Sequence, residues 1–397
     1  MSLFEEAKGL KEKIVSHRRY IHEHAEIGLD LPITRGYVME QLTKMGYEPK
    51  EVGGGVVAVA GGKKPGKVFL IRGDMDALPI KETSGLSFQS ETGNMHACGH
   101  DFHTSMLLGA AELLKEHENE IEGQVKLMFQ PAEETLQGAA SMIEAGLMEQ
   151  PSVDAAMMIH MVISFPFDTG KVLVQQPGIG SSAADWFEIH VQGKGCHGAM
   201  PNTGIDPLNT AAHILIALQE IHARGIPTGS SLALTVGQIH GGSVYNVVPD
   251  SAYMTGTIRT IDPEVRSFVK RRMKEIAENT AKAFGASAEV VFSTECPSVI
   301  CDKDMCQKVT EYCKEIVGEE NVVDTAGMKG LFMAGSEDFA LVAERVPSTF
   351  IALSAGSKEQ GYLHPLHHPG ASFDEDALPV GAAIYAGCAM EWLEKNK

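Results

Sequence analysis

Long apolar runs are missing from this chain. Its most apolar stretches, such as Val68 to Ile71 and Ala155 to Ile159, fall far short of the ~20 residues that a membrane-spanning helix needs, so no membrane partner is expected. Positive charge is scarce too. There are 33 Lys and Arg against 52 Asp and Glu, and the resulting formal charge of −19 opposes nucleic acid and anionic lipid. Small anionic substrates remain open to it through a local positive site. The seven cysteines form an odd set without framework spacing, which excludes a disulfide scaffold and points to a reducing compartment. The opening SLFEEAKGLKEK lacks the basic-then-apolar order of a secretory signal, so a cytoplasmic location is expected. No internal repeat or low-complexity linker is visible.

What is present reads as ordinary globular protein, with 44% hydrophobic and 21% charged residues. Its 397 residues exceed the ~100–200 of a single domain, so two domains are expected. The first half alternates helical and strand patterns. Strands are expected at Val56 to Ala60, Val68 to Ile71, Val125 to Gln130 and Ala155 to Ile159, with a helix from MHACGHD to about Lys115 and another from Pro131 through Met148. From about Ala184 the order becomes strand, helix, strand, strand, helix, strand, the plan of a small α+β domain. The α/β grammar then returns near Asp304. The expected division is a first catalytic segment over 1–183, an inserted domain over 184–295 and a second catalytic segment over 296–397.

Chemistry-bearing residues fall where strands end, the place where open α/β sheets build their sites. In MHACGHD, Cys98 and His100 flank one glycine, so thiolate and imidazole can address a common centre, and Asp101 is expected to cap the next helix. In PAEE the proline ends a strand and sends Glu133 and Glu134 in different directions. One carboxylate can bind a metal ion while the other takes a proton from water that the ion has acidified. The bland alternative is an acidic first helical turn. His160 ends an apolar strand, where a lone histidine is more often a core residue than a ligand. In HPLHHPG, His364, His367 and His368 stand between stiffening prolines, and these residues alone do not decide which is a ligand. Asp76, just past a strand, can fix the tautomer of a liganding histidine or simply form a turn. Cys296, Cys301, Cys306, Cys313 and Cys388 read as small buried hydrophobes, with a second zinc site as the alternative.

These residues resemble the M20 metallopeptidase and aminoacylase family, in particular its amidohydrolase branch of N-acyl-amino-acid, hippurate and auxin-conjugate hydrolases. The likeness runs over nearly the whole chain. It rests on RGDMDALPI (Arg72 to Ile80), MHACGHD, FQPAEE (Phe129 to Glu134), GKGCHGAMP (Gly193 to Pro201), GGSVYNVVPD (Gly241 to Asp250), GTIRT (Gly256 to Thr260), GSEDF (Gly335 to Phe339) and LHHP. The resemblance implies a mixed-sheet α/β catalytic domain of zinc-exopeptidase type, with an inserted ferredoxin-like α+β domain serving as lid and dimerisation surface. It implies two divalent ions (zinc, manganese, cobalt or nickel) bridged by Cys98. His100 and Glu134 would bind one side, and His160 and His367 would complete the two sites. Glu133 becomes the general base and acid, and Asp76 orients His100. His197 reaches the active site, in its own chain or across a dimer, to stabilise the oxyanion. Asn246 and Arg259 hold a substrate carboxylate, and Gly335 and Ser336 line the pocket, although Ser336 before two acids equally suits a helix cap.

Three departures from the family pattern touch no implied ligand: Asn202 for histidine, Cys196 for glycine and Ala25 for proline. The expected reaction is hydrolysis of N-acyl-L-amino acids by a homodimer, with a tetramer as the alternative. A dipeptidase or carboxypeptidase with the same metals is the close rival. Rivals of other classes are a thiol hydrolase using Cys98 as nucleophile and a catalytically retired binding protein.

Overall fold

Strand β1 (Lys50–Val52) turns through two glycines into β2 (Gly55–Gly61), a run of small and β-branched residues. The computed structural model describes residues 2–328 and 335–397, and these form two compact units. The first comprises 2–180, 300–328 and 338–397. Its seven-stranded sheet adds β3 (Val68–Asp74), β4 (Gln124–Gln130), β5 (Ala155–Val162), β6 (Val172–Val174) and β7 (Ser348–Ser354), in the order β1-β2-β4-β3-β5-β7-β6. The pairs β4/β3, β3/β5 and β5/β7 are parallel, and the outer pairs are antiparallel. Every residue of β3 and β7 is buried, as expected for parallel strands covered on both faces.

Three helices matter for the site: α1 (Lys11–Glu23), α2 (His100–Glu116) and α3 (Leu378–Lys395). Helix α2 packs against α1, α3 and β3, and buries 14 of its 17 residues, so it is a core helix rather than an amphipathic surface one. Its Gly109 marks the crossing with α1, because a Cβ there would lie 2.6 Å from Ile14 Cδ1. Among the described residues, no helix is long and apolar enough to cross a membrane.

The second unit comprises 181–299 and 335–337. Strands Ala183–Gln192, Leu232–Gly241, Ser251–Thr260 and Ser287–Cys296 make an antiparallel sheet with Ser251–Thr260 and Ala183–Gln192 at its centre. Helices Pro207–Glu220 and Pro263–Ala283 begin alike. Asp206 and Asp262 each accept two backbone N–H bonds ahead of a proline, and both helices bury Ile214, Leu218, Val269 and Met273 against Phe187 and Ile189. This is the strand-helix-strand-strand-helix-strand plan of a ferredoxin-like domain.

Two local expectations fail. The helix after Pro131 covers only Gly138–Glu144, because Ala132 and Leu136 adopt left-handed φ values of 52° and 56° and fold 131–137 into tight turns. Asp101 does not cap α2. The helix starts from Gly99, and the Asp101 carboxylate pairs instead with Arg18 Nε at 2.7 Å and His22 Nδ1 at 2.9 Å. Helix Pro32–Lys44 escaped sequence reading because its buried face is Thr34, Val38 and Leu42, too short an apolar stripe to register.

His17 on α1 is buried, with Nδ1 2.7 Å from Tyr37 Oη. Burial, aided by Lys13 and Lys44, pushes its pKa down to about 4 from the ordinary 6.5. A depressed folded-state pKa means that stability is full above pH ~6.5 and is lost as pH falls through ~4, by up to roughly 3 kcal/mol. Urea unfolding at pH 7 and pH 4.5 checks this, and His17→Gln is expected to flatten that part of the acid limb.

Candidate metal centre

Parallel register brings the strand ends to one edge. Asp74 lies opposite Gln130, Arg72 opposite Met158 and His160 opposite Ala352, so Asp76, Glu133, Glu134 and His160 all leave the same carboxyl side of the sheet. Cys98 arrives on the loop before α2. Gly99 takes φ 87°, and a Cβ there would sit 3.0 Å from Phe373 and 3.2 Å from Met161 Cβ, so only glycine lets the chain pass while both neighbours face inward. His367 also has positive φ, 63°, and its N–H donates to Ala97 O at 2.9 Å, tying its loop to that of Cys98. Among the described residues, three of the five non-glycine residues with positive φ, Ala132, Leu136 and His367, therefore lie in the loops that carry these side chains.

The side chains converge. Cys98 Sγ is 3.2 Å from His367 Nε2 and 3.6 Å from His160 Nε2. Glu134 Oε1 is 3.5 Å from His367 Nε2 and 3.9 Å from His100 Nε2, and Glu133 Oε2 is 3.8 Å from His100 Nε2. Three groups result, each with ligand atoms within 4.8 Å of one another: Cys98–His100–His160 and Cys98–Glu134–His367, which share Cys98, and His100–Glu133–Glu134. His100 is thus grouped with His160 as closely as with Glu134.

His100 Nδ1 donates to Asp76 O at 2.9 Å, with the Asp76 carboxylate 3.3 Å away, and His160 Nδ1 donates to Met161 O at 2.8 Å. Both rings therefore turn Nε2 toward Cys98 and the glutamates, where a metal ion would take the place of a proton. Among the described residues, buried His100 Nε2 and Glu134 Oε1 have no hydrogen-bond partner, which is costly unless a cation satisfies them. The donor set of thiolate, imidazole and carboxylate fits divalent ions of the zinc type.

The local field agrees. Burial lowers the pKa of His100, but Asp74, Asp76 and Glu134 outweigh it and push it up to about 10. Burial with Asp76 and Asp74 raises Glu134 to about 7, although His100 pulls the other way. Burial, with His100 and His160, lowers His367. The carboxylates thus favour positive charge at the spot where the imidazoles open.

Sequence reasoning missed Asp74 and His103. His103 follows His100 by three residues on the same helical face, and its Nδ1 lies 2.5 Å from Asp74 Oδ1. It also missed the clamp of Arg18, stacked between the Phe88 and Phe102 rings, with Asp101, His22 and Glu82, which ties α1 to the start of α2. The buried Cys296, Cys301, Cys306, Cys313 and Cys388 join none of the candidate metal groups among the described residues.

The remaining expected residues lie in the second unit, at two places. His197 pairs with Val247, next to Asn246, and both His197 and Asn246 are exposed. Arg259 Nη1 donates to Ser336 Oγ at 2.6 Å, and Ser182 N–H donates to Gly335 O at 2.9 Å, so Ser336 is a hydrogen-bond acceptor for Arg259 and caps no helix. Asn246 precedes the start of strand Ser251–Thr260 and Arg259 stands near its end. From Ser251 to Arg259 alone the strand runs eight steps, roughly 26 Å.

Residues 70–391 match Peptidase family M20/M25/M40. Thermostable carboxypeptidase 2 of Saccharolobus solfataricus is 37% identical, over 98% of this chain and 98% of its own length. N-acetyl-L-cysteine deacetylase of Bacillus subtilis is 34% identical, over 98% of this chain and 90% of its own. A solved dinuclear metal-binding peptidase of the M20 family from Bacillus subtilis is 32% identical, with a TM-score of 0.79 over 98% of this chain and 99% of that one. A likeness that spans the sheet, the inserted unit and the converging side chains alike makes this chain a hydrolase of the M20/M25/M40 peptidase family.

Proposed function

We propose that this hydrolase cleaves the amide bond of N-acyl-L-amino acids, releasing the acyl group and the free amino acid. The observation that carries the reading is the division of labour between adjacent carboxylates. Glu134 stands with Cys98 and His367, whereas Glu133 shares no candidate metal group with Cys98 and meets the cluster only beside His100 and Glu134, its carboxylate 3.8 Å from His100 Nε2. Two divalent ions, held by Cys98, His100 and His160 and by Cys98, Glu134 and His367, would acidify water toward pKa ~7 and polarise the amide carbonyl. Glu133 accepts the proton of the attacking water and passes it to the departing amine. His197 donates to the oxygen that gains charge. The Arg259 guanidinium forks onto the substrate carboxylate, with Gly335 and Ser336 beside it.

Asn246 precedes a strand whose eight steps from Ser251 to Arg259 cover roughly 26 Å, a span too long for a single small substrate to bridge. We therefore assign His197 and Asn246 to the site of a partner in a homodimer, with the inserted unit as lid and dimerisation surface. Seven free thiols suit the reducing cytoplasm.

A carboxypeptidase reading shares the metals and the carboxylate clamp, and is favoured by the 37% identity to a protein of that name. Metal-stripped protein assayed on N-acetyl and N-benzoyl amino acids, dipeptides and N-blocked peptides separates the two. We expect no turnover without metal and restoration on acylated amino acids by zinc, manganese, cobalt or nickel. Restoration on peptides alone would install the carboxypeptidase reading. Turnover indifferent to chelation would instead point to a thiol nucleophile.

A further inference from the structure

Beneath the ligands lies a fully buried chain of polar contacts. Arg72 donates through Nε to Gln130 Oε1 at 2.9 Å and meets Asp74 Oδ2 through Nη1 at 2.8 Å. The other Asp74 oxygen faces His103 Nδ1 at 2.5 Å, and all three charged or ring groups are 0% exposed. On its far side His103 Nε2 accepts the Met161 N–H at 2.8 Å. That acceptor role fixes the tautomer, leaving the proton on Nδ1, where Asp74 takes it.

The contact reaches a ligand within one peptide. Met161 follows His160, and its carbonyl accepts the His160 Nδ1–H at 2.8 Å, while the His103 and His160 rings meet edge to face at 4.7 Å between centroids. His103 thus holds the amide on one side of Met161, and Met161 holds the ring of His160 on the other. His100, one turn before His103 on α2, is held through Nδ1 by Asp76, and its Nε2 lies 3.4 Å from Asp74 Oδ2, so Asp74 reaches both histidines of the Cys98–His100–His160 group, His100 directly and His160 through His103.

We infer that Asp74 and His103 form a positioning pair that fixes the ring orientation and tautomer of His160, and so tunes the affinity of the Cys98–His100–His160 site more than that of the Cys98–Glu134–His367 site. The inference rests on the two-ion reading above. Neither residue is placed against substrate.

Zinc titration in competition with a chromogenic chelator tests it, with circular dichroism as the check on folding. Wild-type protein is expected to take up two ions per chain. His103→Gln places an amide oxygen near the position of Nε2, keeps an acceptor for Met161, and is expected to hold both affinities within about threefold, whereas His103→Asn is too short and should weaken one ion about 10–100-fold. Asp74→Asn offers an amide N–H toward Nδ1, drives the His103 proton to Nε2 against the Met161 N–H, and is expected to weaken the same single ion, which keeps the test decisive if His103→Asn does not fold. Equal loss in the Gln and Asn variants, weakening of both ions in parallel, or unchanged affinity in Asp74→Asn would overturn the positioning role. A wild-type protein binding fewer than two ions would overturn the metal reading itself, which distinguishes the two failures.

Discussion

Glu133→Gln is expected to lower kcat about 10³–10⁴-fold while zinc content stays at two ions per chain. The amide preserves the shape and the hydrogen bonding of the turn, in which Glu133 O accepts Leu136 N–H at 2.7 Å through the backbone alone. What it removes is basicity. The proposed role uses the carboxylate twice, first to accept a proton from water and then to deliver it to the amine, so the loss should lie at the upper end of the range for general acid–base catalysis. KM should change little, because Glu133 is placed against the reacting water and not against the substrate carboxylate. Steady-state kinetics beside metal analysis reads both quantities, and a near-normal kcat with two ions bound would assign the proton transfer to another residue.

The second large effect is expected at Cys98. Its sulfur lies within 3.6 Å of His160 Nε2 and 3.2 Å of His367 Nε2, and it is the only residue common to the two triads that contain those histidines. Cys98→Ala should therefore strip both ions at micromolar free zinc and reduce turnover to background, a larger loss than removal of any ligand that belongs to one triad. Cys98→Asp supplies an anionic oxygen pair able to bridge two ions, and should retain part of both metal content and activity. That contrast also separates metal chemistry from thiol chemistry. An enzyme using Cys98 as its nucleophile would be silenced equally by either substitution, and its metal content would not follow its activity.

The convergence of the candidate ligands was partly legible in the sequence because Cys98, Glu134 and His160 stand at junctions where an apolar strand or a loop meets a new element, and junctions can be read from pattern. The choice of His367 among three neighbouring histidines came from family likeness rather than from spacing. Asp74 and His103 escaped notice for a different reason. A histidine in the third position beyond another on a helix, and an aspartate closing a buried strand, have ordinary structural explanations until the register shows them 2.5 Å apart. The helix wrongly extended over 131–137 failed because Ala132 and Leu136 carry no preference for left-handed backbone, so nothing local announced the turn. The separation of Asn246 from Arg259 was invisible for the opposite reason. They lie close in sequence, and only the pairing of Ser251–Thr260 with Ala183–Gln192 shows that most of an extended strand lies between them.

The left-handed residues around the ligands bear on how this fold can be improved. At Ala132 a glycine would relieve roughly 1 kcal/mol of backbone strain, yet it would also free the segment that aims Glu133. Thermal robustness sought at Ala132, Leu136 or His367 is thus set against geometric fidelity, whereas the same gain sought on the exposed faces of the helices leaves the chemistry untouched. An engineer or natural selection working on heat tolerance would accumulate changes everywhere except in these two loops.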